Sequence, residues 1–297
     1  MDTVSPAAGW SGNEYRPVVR GKKLFGLGAA DMKAGVAIAV SVFKELYLKT
    51  KANIILALVA DEEGISRGAY CALKKIPRVD LCLIPEPSGE KIGAGARGRV
   101  VVKIGVRGRS AHGARPSLGI NAIDESARII TEISKIPLKK DAEMGAGSIC
   151  VLKIESGVQS LSVPEYCTMT LDRHYVRCEN EAGIISEFRR AVRNSDTRAK
   201  ANVSIEKRET PYLRPYLTEE RNPLVRKFVS AYAALFGKMP SMYCNESVGD
   251  YNIFGRRMPT LIYGPKGANW HAKGEYVEID SIKRCHKMYV EFLKGFK

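Results

Sequence analysis

The feature that most constrains this chain is a strand-length apolar run that stops abruptly at three acids. Residues 53–60 read NIILALVA and lead straight into Asp61-Glu62-Glu63. A continuous apolar run of this length suits a strand buried on both faces of a mostly parallel sheet. Carboxyl ends of such strands are where α/β proteins place their ligand sites, and three carboxylates gathered there are expensive unless something cationic neutralises them. The arrangement repeats. Residues 79–84 (VDLCLI) run into Pro85-Glu86-Pro87, where two prolines restrict the backbone and point Glu86 in one direction. Residues 259–263 (PTLIY) run into a glycine-bearing loop that ends in Trp270-His271.

Around these runs the periodicity alternates between helix and strand. Residues 33–48, 223–236 and 279–296 predict helices, the second with Pro223 in its first turn. Between about 98 and 208 the texture changes. Residues 99–107, 149–155 and 166–172 predict strands, the first with one solvated face. Helices are predicted near Asn121 to Ile133 and over 179–195. The expected fold is α/β: a mostly parallel sheet flanked by helices over 1–97 and 209–297, with an inserted α+β domain over 98–208. A length of 297 residues suits two cores better than one.

Charge and cysteine usage narrow the function classes. The net charge of +15 favours anionic partners. Lys and Arg are nevertheless spread along the chain without an aromatic-interleaved basic block, so carboxylate substrates are expected and nucleic acid is not. No run approaches a membrane span. The opening residues MDTVSP lack the basic start and apolar stretch of a secretory signal. The seven cysteines are odd in number and form no CxxC pair, which points to a reducing, cytoplasmic setting.

Asp31 closes a glycine-bearing loop, GLGAAD, before the first predicted helix. An N-cap is the simplest role for it, and the loop lacks the Lys-Ser/Thr of a phosphate loop. Taken with Glu62, Glu63, Glu86 and His271, however, it completes a set of carboxylates and one imidazole. That set suits Zn2+, Co2+ or Mn2+. Two such ions sharing one carboxylate would activate a water and polarise a carbonyl, and a spare acid beside them would act as base. His112 stands in the polar stretch SAHGARP.

These residues carry a resemblance. In order along the chain stand MDTVSP, GLGAADMKAG, ADEEG, PEPSG, GRSAHGARPSLGINAI, SVGDYN and IYGPKGANWHAKGEYV. The sequence resembles the metal-dependent amidohydrolases that include succinyl-diaminopimelate desuccinylase, acetylornithine deacetylase, aminoacylase and the glutamate carboxypeptidases. The resemblance implies that Asp31 bridges two metals, Glu63 and His271 complete one site, and Glu86 belongs to the other. It implies Glu62 as general base and His112 as oxyanion donor, often from a partner subunit, so that 98–208 is a lid and a homodimerisation domain. It places Arg115, Arg173, Asn252 and Gly264 on the substrate side. The expected substrate is an N-acyl amino acid or small peptide.

The sequence also departs from that family. Met1-Asp2-Thr3-Val4 matches the end of a His-x-Asp motif whose His binds the Glu86-side metal and whose Asp, here Asp2, orients the other site. The His has no counterpart. One metal is therefore expected to bind well and the second weakly, with poor activity, and a catalytically impaired homologue is the alternative reading. His174 stands where many relatives carry an arginine that holds a substrate carboxylate, a role for which Arg173 and Arg115 are both candidates.

Overall fold

The protein is described from a computed structural model, over residues 3–10, 14–157 and 160–296. The chain runs β1 (Val18–Arg20), β2 (Lys23–Phe25), α1 (Ala34–Leu46), α2 (Arg67–Lys75), β3 (Cys82–Ile84), β4 (Ile92–Ala96), β5 (Gly98–Arg107) and α3 (Ala122–Ile133). It continues through β6 (Lys140–Asp141), β7 (Gly145–Ala146), β8 (Ser148–Ser156), β9 (Tyr166–Tyr175), α4 (Glu181–Asn194), β10 (Lys200–Ile205), β11 (Tyr216–Leu217) and α5 (Pro223–Phe236). The last elements are β12 (Met242–Asn245), α6 (Asp250–Gly255), β13 (Thr260–Ile262), β14 (Gly267–Ala268), β15 (Tyr276–Glu278) and α7 (Ile279–Lys294).

Two compact units result, one of Met1–Ala96 with Tyr216–Lys297, the other of Arg97–Pro215. The second junction lies beyond residue 208 because the stretch that follows remains tied to β5, through the Arg99 N–H donated to the Leu213 carbonyl at 2.8 Å.

The first unit is α/β, but its sheets are not mostly parallel as expected. One sheet has the order β11-β4-β13-β3 with β12 on β4, and it is mixed: β12 pairs β4 and β13 pairs β3 in parallel, whereas β11 and β13 meet β4 antiparallel. A second sheet, β1-β2-β15-β14, is antiparallel throughout. Apolar runs report burial and not strand direction, which is why this could not be read from them. The core is built where α1, α5 and α7 cover the mixed sheet: Ile38, Val42 and Leu46 meet Val225, Phe228, Met288 and Phe292 over Ile92 and Leu261. Asn222 starts α5 by accepting the Leu224 N–H, just ahead of Pro223.

Residues 53–60 correct a second expectation. They form no strand. Ile54 packs on the core, but Ile55 and Leu58 are about half exposed, at 49% and 47%. Among the described residues, the ladder of the mixed sheet ends at β3, so nothing there pairs with this segment as a strand.

The second unit is an antiparallel sheet, β10-β5-β9-β8, with α3 and α4 packed on one face. Strand alternation defines that face. Val100, Val102, Ile104 and Val106 of β5 and Cys167, Met169, Leu171 and Tyr175 of β9 are buried beneath Ile129, Ile133, Ile184 and Phe188. No helix among the described residues is long and apolar enough to cross a membrane.

Candidate metal centre

The turn after residue 60 divides its three acids. Asp61 has φ 69°, its carbonyl accepts the Ser66 N–H at 2.6 Å, and its Oδ2 accepts the Arg67 N–H at 3.1 Å, opening α2. Gly64 leaves room for that carboxylate, since a Cβ there would stand 2.4 Å from Asp61 Oδ1. Asp61 is thus consumed in building the turn, which leaves Glu62 and Glu63 for chemistry.

Glu63 converges with Asp31 and His271. One ligand atom from each lies within 4.8 Å of the other two. His271 Nε2 is 3.2 Å from Asp31 Oδ2 and 3.2 Å from Glu63 Oε1. Two ligands held at zinc distances around a tetrahedral ion stand about 3.3 Å apart, so the spacing fits a divalent cation between them. Two carboxylates and one imidazole are also the donor types for Zn2+, Co2+ or Mn2+. His271 has φ 58° in a loop where Asn269 Nδ2 donates to the Gly274 carbonyl at 3.2 Å. A histidine adopts that left-handed backbone only where its surroundings hold it there.

Glu86 stands close to Asp31 and Glu62. Its carboxyl is held well above the usual range, first by burial, then by the negative charges of Asp31 and Glu62, with a hydrogen bond to Asp31 and a smaller contribution from Asp250. Burial, and then Glu86 and Glu62, push the Tyr251 phenol up as well. Two glycines seat the Pro85-Glu86 segment. A Cβ on Gly35 would be 2.1 Å from the Pro85 carbonyl oxygen, and one on Gly264 would be 2.1 Å from that of Glu86. Gly249 admits Glu62 in the same way, since a Cβ there would be 2.8 Å from Glu62 Oε1. Of the remaining histidines, His286 bonds Ser41 and His174 bonds Asp172, so neither stands with Glu86.

The structure places three of the expected substrate-side residues in buried surroundings. Arg173 is wholly buried, its guanidinium paired with Glu179 and donating to the His174 carbonyl. Asn252 is wholly buried, and its Oδ1 accepts the Gly249 N–H at 3.1 Å at the start of α6. Gly264 is buried against backbone, as described above. Arg115 is exposed, in the same loop as His112. His112 Nδ1 accepts the Ala114 N–H at 3.1 Å, so the neutral ring carries its proton on Nε2. Asp2 lies outside the described residues.

One residue that reading the sequence did not single out belongs with this centre: Glu275, four positions after His271 and 1% exposed.

The chain matches the family described as Peptidase family M20/M25/M40 over residues 1–295. It belongs to this family of hydrolases. The succinyl-diaminopimelate desuccinylase of Zymomonas mobilis is 25% identical over 99% of this chain and 80% of its own length. A tripeptidase of Staphylococcus aureus shares the fold with a TM-score of 0.77 at 18% identity, covering 94% of this chain and 75% of that one. A dinuclear metal binding peptidase of the M20 family from Bacillus subtilis does so with a TM-score of 0.67 at 15% identity, covering 90% and 72%. Within this M20/M25/M40 chain, Asp31, Glu63 and His271 are the candidate metal-binding group.

Proposed function

We propose that this M20/M25/M40 hydrolase cleaves the amide bond of an N-acyl amino acid, of the desuccinylase or deacetylase kind. The observation that carries this reading is the convergence of Asp31, Glu63 and His271 with Glu62 one residue from a ligand and not needed as one. A divalent cation held by Asp31, Glu63 and His271 would polarise the scissile carbonyl and acidify a water. Glu62 is the base that takes the proton and later returns it to the leaving amine. His112 would stabilise the developing oxyanion by a hydrogen bond from its Nε2–H. Its loop belongs to the second unit, and the resemblance expects it from a partner subunit in a homodimer. Arg115, exposed beside it, is a candidate to pair with a substrate carboxylate.

The test is a panel of N-succinyl and N-acetyl amino acids and dipeptides, assayed with added Zn2+ or Co2+. Turnover of an acyl amino acid that is abolished in Glu62→Gln while metal binding is kept supports the reading. A preference for dipeptides moves the substrate class to a peptidase. A fully active Glu62→Gln removes the base.

A further inference from the structure

The loop Gly26-Leu27-Gly28-Ala29-Ala30-Asp31 has the glycine content of an anion-binding turn, and the anion it holds is internal. The Glu275 carboxylate accepts three main-chain N–H groups from it: Oε2 from Gly28 at 2.6 Å, and Oε1 from Ala30 and Asp31, each at 2.9 Å. The Glu275 carbonyl accepts a fourth, from Gly26, at 3.1 Å. A carboxylate at 1% exposure requires such compensation, and converging backbone amides in a nest supply it. The loop must curl to aim them inward, which Gly28 permits with φ 68°. A side chain there would also strike Thr3, whose Cγ2 lies 2.2 Å from the Cβ position.

Two consequences follow for the metal group. The last amide in the nest is that of Asp31 itself, so Glu275 fixes the backbone from which this carboxylate projects. Glu275 also ends the loop that presents His271, and just beyond it Tyr276 enters β15, whose ladder with β2 brings the two loops together. They pack closely: a Cβ on Gly267 would be 2.5 Å from Ala30 Cβ. One buried carboxylate therefore joins the carrier of one ligand to the carrier of another.

We propose that Glu275 is a positioning residue that couples the Asp31 loop to the His271 loop and presets the metal group without itself binding metal. This rests on the metal reading above. The test uses the full chain and Co2+ as probe, followed by d–d absorption and by calorimetric titration, with amide hydrogen exchange on the metal-free protein. In Glu275→Gln, an NH2 group faces part of the nest. Co2+ affinity is expected to fall 10- to 100-fold, the range for residues that orient metal ligands. The d–d bands are expected to shift, and the Gly28, Ala30 and Asp31 amides to exchange faster. Glu275→Asp keeps the charge but is one methylene short, and is expected to fall in between. Glu125→Gln is the control for general destabilisation. That carboxylate is equally buried and accepts the Arg198 N–H and the Thr197 hydroxyl, both at 2.8 Å, in the other unit. It should lower stability and leave Co2+ binding unchanged.

A Glu275→Gln protein with native affinity and native bands overturns the inference. If that variant does not fold, a folded Glu275→Asp with native affinity and bands overturns it equally. Asp31→Ala and His271→Ala separate the two layers. If the wild type binds no Co2+, or these variants bind it as well as the wild type does, the metal reading falls and the inference with it. If they lose Co2+ and Glu275→Gln does not, only the inference falls.

Discussion

Gly264→Ala adds a single methyl group, yet it is expected to displace Glu86. The new Cβ would lie 2.1 Å from the Glu86 carbonyl oxygen, 2.6 Å from that of Pro85 and 2.7 Å from the Glu86 carbonyl carbon. All three are backbone atoms, so no side chain can swing aside. Restoring ordinary contact at about 3.4 Å requires the two segments to separate by about 1.3 Å. Overpacking of this kind costs about 1–3 kcal/mol. A displacement of about 1 Å at a reacting centre lowers turnover about 100-fold. Urea unfolding should therefore show a loss of about 1–3 kcal/mol, and hydrolysis per folded molecule should fall by about two orders of magnitude. Gly105→Ala is the counterpart in β5, where a Cβ meets nothing within 4 Å. It should be neutral or stabilising by up to about 1 kcal/mol, because it restricts only the unfolded chain. Gly264→Ala with native stability and native turnover would refute the argument that this glycine exists to let two backbones touch.

Three further outcomes are expected. Arg173→Met should destabilise by about 3–5 kcal/mol in urea by leaving Glu179 buried without its partner, and adding Glu179→Leu should recover most of that loss; a folded Arg173→Met whose only defect is a raised KM for acidic substrates would restore Arg173 to the substrate side. The two-bonded Arg177 guanidinium, at 2.8 and 2.9 Å, outweighs burial and holds the Asp141 carboxyl far below its ordinary value. A depressed carboxylate stabilises above its unfolded pKa of about 3.9 and loses that as pH falls toward the folded value, so Arg177→Ala should cost about 1 kcal/mol at neutral pH and progressively less below about pH 4, in melts run across pH; a gap that widens on acidification contradicts the sign. Reconstitution with Zn2+ should load the Asp31, Glu63 and His271 group, and at 100-fold excess over its Kd that ion adds about 2.7 kcal/mol, about 5–10 °C in Tm, all removed by chelator; a Tm indifferent to both Zn2+ and chelator would refute the metal reading.

What could be read from sequence, and what could not, follows from the range of each signal. Helix periodicity is local, and α5, predicted over 223–236, spans Pro223–Phe236 in the structure. Strand direction is not local, and the mixed sheet was out of reach. Residues 53–60 have the composition of a doubly buried strand, but composition states what a segment requires and not whether a neighbour supplies it. The burial of Arg173 was legible. Leu171 and Tyr175 flank it at two-residue spacing, so period-two alternation already assigns Arg173 to the face they share, and on that face it is buried. Asn252 carries a similar signal, enclosed by Tyr251, Ile253 and Phe254, all buried with it.

The acids at 61–63 show a different limit. Three carboxylates in a row look equivalent until the turn is known, and what separates them is the left-handed backbone at Asp61, which spends one carboxylate as a cap and turns the next two toward Asp31 and Glu86. Glu275 lies between these cases. Nothing in its own neighbourhood marks it, but the GLGAAD loop does: a glycine-bearing turn that aims its amides inward requires an anion. With the phosphate-loop pattern lacking its Lys-Ser/Thr, that anion had to come from elsewhere, and an acid of the chain itself was the remaining source. The amides that an N-cap at Asp31 would serve, those of Lys33 and Ala34, are already taken by the Gly28 and Ala29 carbonyls, and the Asp31 carboxylate is left to face His271.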